Sequence, residues 1–219
     1  MVNTDTKGAV WRPSPNYEAR TAPAQFIILH GTWMADDAEA LTRLCDPAAK
    51  VSCHYMINAD GTLHQLVREN QIAWHAGISA WGPHKRLNGT SIGIEISNPG
   101  DGTPYTKRQY HVLEGLMASI MTRTGITADH VLAHSDIATD RKDDPGAWFN
   151  WQRLEQKGLA APWQPNLTID DPVAALRAHG YHGTDDNIVI AFQRHYMRGH
   201  VSGILCPQTK ALILTGKNA

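Results

Sequence analysis

Cysteine is scarce here: Cys45, Cys53 and Cys206 are the whole complement of a 219-residue chain, and none shares a C-x-x-C spacing. An odd count without that spacing argues against a disulfide framework and against a thiolate metal site. The expectation is buried free thiols in a reducing compartment. Long hydrophobic runs are missing too; no stretch approaches the ~18 apolar residues of a membrane span. Neither sign of charge dominates. The net charge is −1 with no basic block, so nucleic acid and anionic membrane surfaces are not expected partners. Met1 to Gly8 is polar and no apolar segment follows it, so no secretory signal is visible. That predicts a cytoplasmic protein, or a periplasmic or outer-membrane lipoprotein if an export signal has been removed.

What is present suffices for a globular chain. Hydrophobic residues make up 42% and charged residues 19%, enough for one domain of ordinary size and a small second one. Phe26 to His30 reads as a buried strand that delivers His30 to a loop. Asp36-Asp37 caps a short helix through Ala40, Leu41 and Leu44, stopped by Asp46-Pro47. Two strand-like runs, His54 to Asn58 and Thr62 to Val67, flank the turn signal Asp60-Gly61. In Ser91 to Ser97 the residues Ile92, Ile94 and Ile96 share one face, with Gly93, Glu95 and Ser97 on the other.

Thr106 with Gln109 forms a capping box for a long helix striped by Tyr110, Leu113, Leu116, Met117, Ile120 and Met121, and Gly125 ends it. Val131 to His134 is a last short strand, again ending on a histidine, and Trp148 to Lys157 reads as a helix. Strands, a helix and a strand in this order predict an α/β fold, a central mixed sheet flanked by helices. The expected division is 1–160 for this body (1–20 as an extension), 161–170 as a linker, and 171–219 as three short helices. Those helices start at Asp171-Pro172, carry Ile188, Phe192 and Tyr196, and follow Pro207; they are few enough to need docking on the main body. A monomer is expected.

The chain holds 12 histidines, and most sit in polar or helix-surface contexts: His84, His111, His130, His179, His182, His195 and His200. His30 and His134 differ because each ends a buried strand, where side chains project into a cleft. Beside His134 lies Asp144, in the run Arg141-Lys142-Asp143-Asp144-Pro145-Gly146. Two His and one Asp around a divalent ion leave a fourth position for water, the composition of a catalytic rather than a structural zinc site. The residues alone also admit a plainer account: satisfied histidines at the core's edge, Asp144 as a turn former and Lys142 as a surface charge. Glu95 is the more telling residue, since a carboxylate on that strand must face a cleft or a partner.

Several longer motifs carry a resemblance. They are Leu29-His30-Gly31-Thr32-Trp33, Ser52-x-His54-Tyr55, Ala73-Trp74-His75-Ala76-Gly77-Ile78-Ser79-Ala80-Trp81, Ser91 to Glu95, and Ala133-His134-Ser135-Asp136-Ile137-Ala138 through Gly146. Over roughly residues 20 to 160 the chain closely resembles the zinc N-acetylmuramoyl-L-alanine amidases of the amidase-2 family, which share their fold with peptidoglycan recognition proteins. The resemblance implies His30, His134 and Asp144 as zinc ligands, Glu95 as the catalytic carboxylate and Lys142 as the partner of the reacting carbonyl. It implies hydrolysis of the amide joining N-acetylmuramic acid, including its 1,6-anhydro form, to L-alanine of the stem peptide.

Peptidoglycan fragments, muropeptides and anhydromuropeptides, are therefore the expected ligands. Substrate contacts are expected at Trp33, His54, Trp74, His75, Ala76, Gly77, Trp81, Arg86, Asn88 and Thr90, where indoles stack on sugars and polar groups read carboxylates and N-acetyl groups. Trp74 or Trp81 would serve equally well as a core residue. The C-terminal segment resembles three-helix peptidoglycan-binding domains through Leu176 to Tyr181, Ile190 to Gln193 and Thr209 to Leu212, a pattern a purely stabilising appendage would share. A non-catalytic muropeptide-binding module, or a lytic amidase of phage or envelope type acting on intact wall, stand as the alternatives.

Overall fold

Pleat alternation sets the centre of the fold. In the computed structural model, which describes residues 4–217, the strands are β1 (Val10–Trp11), β2 (Tyr17–Ala19), β3 (Phe26–Gly31), β4 (Tyr55–Ile57), β5 (Leu63–Gln65), β6 (Gln71–Ala73), β7 (Ala80–Trp81), β8 (His84–Lys85), β9 (Ser91–Ile96) and β10 (Val131–Ala133). The helices are α1 (Asp37–Cys45), α2 (Lys107–Thr124), α3 (His134–Ile137), α4 (Trp151–Glu155), α5 (Pro172–His179), α6 (Asp185–Tyr196) and α7 (Pro207–Thr215). Met1, Val2 and Asn3, which open the polar N-terminus, lie outside the described residues. Six strands form one sheet in the order β1-β5-β4-β9-β3-β10. Only the β4–β5 pair in it is antiparallel, so the sheet is mixed.

Alternation sorts the strands' side chains to two faces. Ile27 and Leu29 of β3, Ile92, Ile94 and Ile96 of β9, and Val131 and Ala133 of β10 enter one core with Tyr110, Leu113, Leu116, Met117 and Ile120 of α2. Phe26, Ile28 and Leu132 point to the opposite face, into a second core. By the same period of two, His30, Glu95 and His134 belong to that second face. A third cluster seats α1 through Ala40, Leu41 and Leu44 on Cys53, Met56 and Leu66. The caps follow the chain's chemistry. Asp36 accepts from Ala38 and Glu39 at the start of α1, and the Thr106/Gln109 box opens α2, which Gly125 closes in a left-handed conformation.

Differences from the sequence reading have local causes. β1, β2, β6, β7 and β8 are two or three residues long, too short to leave a periodic signal. The helix expected over Trp148 to Lys157 is only Trp151–Glu155, because the Asn150 side chain caps it by accepting from Arg153 N. Of the three free cysteines only Cys53 is fully buried; Cys45 and Cys206 are partly exposed. His195 is not a surface histidine: its ring lies between Trp151 and Tyr196 at centroid distances of 3.8 and 4.1 Å, and Nδ1 pairs with buried Asp136 at 2.7 Å.

The C-terminal helices pack on the sheet's second face. Leu176, Tyr181, Ile188, Phe192 and Ile213 share a core with Phe26, Ile28, Trp81 and Leu132. Residues 161–170, expected as a linker, form neither helix nor strand, yet Trp163 is buried there and its Nε1 donates to Ile213 O at 3.0 Å. Asp136 binds the two parts: its carboxylate accepts from Ala133 N, Tyr181 Oη and His195 Nδ1. Among the described residues no helix is long and apolar enough to cross a membrane.

Candidate metal centre and active site

Strand register builds the site. β3 and β9 run side by side with His30 opposite Glu95, and β10 pairs with β3 so that Ala133 faces Leu29. His134, the next residue, therefore lies level with His30 on the same face. The loop after α3 returns Asp144 to this point, held by Ser135 N donating to Asp144 O at 3.0 Å. The three side chains are 1%, 5% and 7% exposed, and their ligating atoms converge. His30 Nδ1 is 2.9 Å from His134 Nδ1, His134 Nδ1 is 3.0 Å from Asp144 Oδ2, and His30 Nδ1 is 3.3 Å from the same oxygen.

The hydrogen-bond network decides which of these atoms carry protons. Leu87 O can only accept, so Ser91 Oγ, 2.6 Å away, donates to it. Ser91 then accepts from His75 Nε2 at 3.1 Å, which leaves His75 Nδ1 bare to accept from His30 Nε2 at 2.9 Å. Neutral His30 thus turns an unprotonated Nδ1 towards Asp144. His134 repeats the pattern more loosely, with Nε2 3.4 Å from Ala76 O, again an acceptor only. Burial keeps His30 neutral, pushing its pKa down to about 4 with the His134 charge acting in the same sense. It lowers His75 as well, with His30 adding to the effect.

Asp144 is subject to the same burial, which opposes its ionisation. The electrostatic effect of the two imidazoles outweighs this and holds its carboxyl below the ordinary range. Three electron-pair donors therefore meet with no hydrogen between them. That arrangement is repulsive on its own and suits a cation. For zinc–ligand bonds of about 2.0–2.2 Å, tetrahedral geometry separates ligand atoms by about 3.3–3.6 Å, close to the spacing found here.

Glu95 and Lys142 flank the triad. Both line its cavity, about 560 Å³ in volume, together with Trp33, His75 and the α1 residues Ala40, Arg43 and Leu44. Glu95 is half-buried overall, yet its Oε2 is fully enclosed with no hydrogen-bond partner. Burial raises its pKa to about 8; the Asp144 charge adds to this and Lys142 opposes it. Gly93, two residues before Glu95, must lack a side chain: a Cβ there would lie 2.4 Å from the His75 ring.

A stability consequence follows for the metal-free protein. The folded carboxyl near 8 lies above the unfolded value of 4.5, so the folded state holds the extra proton and stability is lost as pH rises through that window. Metal-free Glu95→Gln should melt higher than wild type at pH 9, by a few kcal/mol at most given ~1.4 kcal/mol per pKa unit. The difference should vanish at pH 5. Parallel melting curves at the two pH values would refute it.

The structure brings together His30, His134, Asp144, Glu95, Lys142, Trp33 and His75. The other expected contact residues are placed differently. His54 is buried, its Nδ1 accepting from Gly93 N. Trp81 is 7% exposed and packs edge-on against Tyr181 at 4.8 Å. Both calls are thereby corrected, since neither ring reaches the cavity. Asn88 Oδ1 accepts from His75 N and Ala76 N, so it shapes the loop that holds His75. Ala76 is buried, Trp74 half-buried, and Thr90 partly enclosed against Leu87 O. Gly77 and Arg86 are exposed, both with positive φ. The sequence reading missed Ser91 and the α1 wall, which carry only helix and strand signals.

Fold and site together define a class, a hydrolase with a metal centre at the carboxyl end of parallel strands. Residues 20–147 match the N-acetylmuramoyl-L-alanine amidase family, and the chain belongs to it. It is 34% identical to the N-acetylmuramoyl-L-alanine amidase AmiD of Escherichia coli over 85% of this chain and 79% of that protein. To the 1,6-anhydro-N-acetylmuramyl-L-alanine amidase AmpD of Enterobacter cloacae it is 42% identical, over 65% of this chain and 86% of that one. The solved complex of E. coli AmiD with anhydro-N-acetylmuramic acid-L-Ala-D-gamma-Glu-L-Lys superposes with a TM-score of 0.76 at 32% identity, covering 90% of each chain. Pseudomonas aeruginosa AMPDH3 in complex with anhydromuramic pentapeptide gives a TM-score of 0.75 at 30% identity, covering 98% and 96%.

Proposed function

We propose that this chain hydrolyses the amide between the lactyl carbonyl of N-acetylmuramic acid, including its 1,6-anhydro form, and L-alanine of the stem peptide, with zinc as its resident ion. The observation that carries the proposal is the convergence of two unprotonated Nδ1 atoms and one carboxylate oxygen beside an unpartnered, buried Glu95. Two imidazoles and a carboxylate suit zinc and leave room for a fourth ligand. Bound there, the ion would supply an activated water and polarise the scissile carbonyl.

The remaining steps belong to the protein. Glu95 accepts the proton of the attacking water at Oε2 and returns it to the alanine nitrogen as the C–N bond breaks. Lys142 offsets the negative charge that develops on the carbonyl oxygen. The His75–Ser91–Leu87 chain fixes the His30 tautomer and ring orientation, and weakening such support typically lowers metal affinity 10–100-fold, to an order of magnitude. A module that only bound muropeptides would have no use for Glu95 and Lys142 beside the triad. Free thiols at Cys45, Cys53 and Cys206 support the reading of a reducing compartment, the cytoplasm.

The test is product identity. Zinc-loaded protein given 1,6-anhydromuramyl-tripeptide should release free tripeptide and anhydromuramic acid, resolved by mass. Cleavage within the peptide, or no cleavage, would overturn the proposal.

A further inference from the structure

A second hollow adjoins the metal cavity on the far side of Trp33. It is small, about 190 Å³, and walled by two indoles, Trp33 and Trp148, that are 40% and 52% exposed. Burying either ring would gain up to about 3 kcal/mol, so two of them left open around one hollow mark a ligand surface. Neither indole is loose. A Cβ on Gly100 would lie 2.6 Å from Trp33 Cγ, and one on Gly102 would lie 3.1 Å from Trp148 Nε1. Each ring thus rests directly on bare backbone, and little side-chain freedom remains to be lost when a ligand is gripped.

The polar group of this hollow is an ion pair. Arg194 of α6 reaches Asp143 at 2.6 Å, and Arg194 Nη1 also approaches Lys142 O at 3.5 Å. Asp143 remains half exposed, so its carboxylate has acceptor positions left for hydroxyl donors, and the guanidinium beside it has N–H groups. Aromatic plates with a carboxylate and a guanidinium at the rim match a pyranose, whose two faces are apolar C–H surfaces and whose edge is ringed by hydroxyls. The volume lies below the 300–1,000 Å³ typical of drug-sized ligands and suits one ring.

Position identifies which ring. Trp33 lines both cavities, and Asp143 lies between Lys142 and the ligand Asp144. From the triad the first cavity extends towards α1 and the exposed Arg43, a course suited to an acidic peptide; the indole hollow opens beside Trp148 and α6. Resting on the amidase reading above, we propose that the Trp33–Trp148 hollow binds the N-acetylhexosamine glycosidically linked to the reacting muramic acid. The preferred substrate is then a disaccharide or longer glycan bearing the stem peptide, and α6 of the C-terminal helices contributes a wall of the sugar site through Arg194.

The experiment compares kcat/KM on N-acetylglucosaminyl-1,6-anhydromuramyl-tripeptide with that on 1,6-anhydromuramyl-tripeptide. Wild type should favour the disaccharide by about tenfold, the equivalent of ~1.4 kcal/mol. Trp148→Ala should abolish that preference, and Trp148→Phe, which keeps a ring, should restore most of it. Equal rates on both substrates in wild type, or an equal loss on both in Trp148→Ala, would overturn the proposal. A separate binding arm reads the hollow without chemistry: N-acetylglucosamine dimer should perturb tryptophan fluorescence of wild type but not of Trp148→Ala. Failure of wild type to cleave either substrate while still binding the dimer would count against the amidase reading and not against the sugar site; absence of dimer binding counts against the site.

Discussion

Replacing Glu95 with glutamine is expected to lower turnover of a muramyl peptide by about 10²–10⁴-fold, the range for loss of a positioned general base, with metal content unchanged. The substitution keeps the side chain's shape and removes only its capacity to take a proton. Glu95 Oε2 has no partner among the described residues, so nothing structural depends on its charge, and it is not a ligand of the His30–His134–Asp144 set. A loss below about fivefold would show that another group moves the proton. The pH profile adds a second readout. Burial and the Asp144 charge raise the Glu95 pKa to about 8 without metal; a cation in the triad favours the carboxylate and pulls that value down. The acidic limb of kcat/KM in the loaded enzyme should therefore lie below pH 8, and it should disappear in Glu95→Gln.

Removing a ligand should be at least as severe. His134→Ala leaves His30 and Asp144 as the only donors, and two donors rarely hold zinc against a chelator. The expected result is substoichiometric metal after dialysis and activity at least about 10³-fold down, with no rescue by micromolar zinc. Wild type stripped by chelator should lose activity to the same extent but recover it on zinc addition. Retention of one equivalent of zinc by His134→Ala, or full activity of the stripped wild type, would remove the metal from the mechanism.

Much of this site was legible because strands encode direction. His30 and His134 end strands, and Glu95 breaks an alternation otherwise made by Ile92, Ile94 and Ile96; the period of two places all three on one face. The amidase resemblance then assigned their roles. What remained hidden depends on loops and on contacts distant in sequence. Nothing near His75 announces that its ring spans from His30 to Ser91, because the path crosses β6, a turn and β9. Trp81 and His54 lie within the same motifs as His75, yet an aromatic or imidazole in a loop has no periodicity to tell interior from cleft. Trp148 was read as part of a helix, whereas Asn150 starts that helix later and leaves the indole on the surface beside Trp33. Arg194 was unreadable for a related reason: its importance comes from docking of α6 against the loop that carries Asp143.

Asp136 gives that docking a consequence for how such chains can be recombined. It stands two residues after His134 with no exposed surface, and two of its three hydrogen bonds come from Tyr181 and His195. Exchanging residues 171–219 for an unrelated wall-binding cassette would strip this carboxylate of its hydroxyl and imidazole, and an uncompensated buried charge costs about 3–5 kcal/mol. The strain would fall on the turn that aims a metal ligand. A graft on this scaffold must therefore bring its own tyrosine and histidine to Asp136; the C-terminal helices are inherited with the metal-bearing loop, not as a detachable passenger.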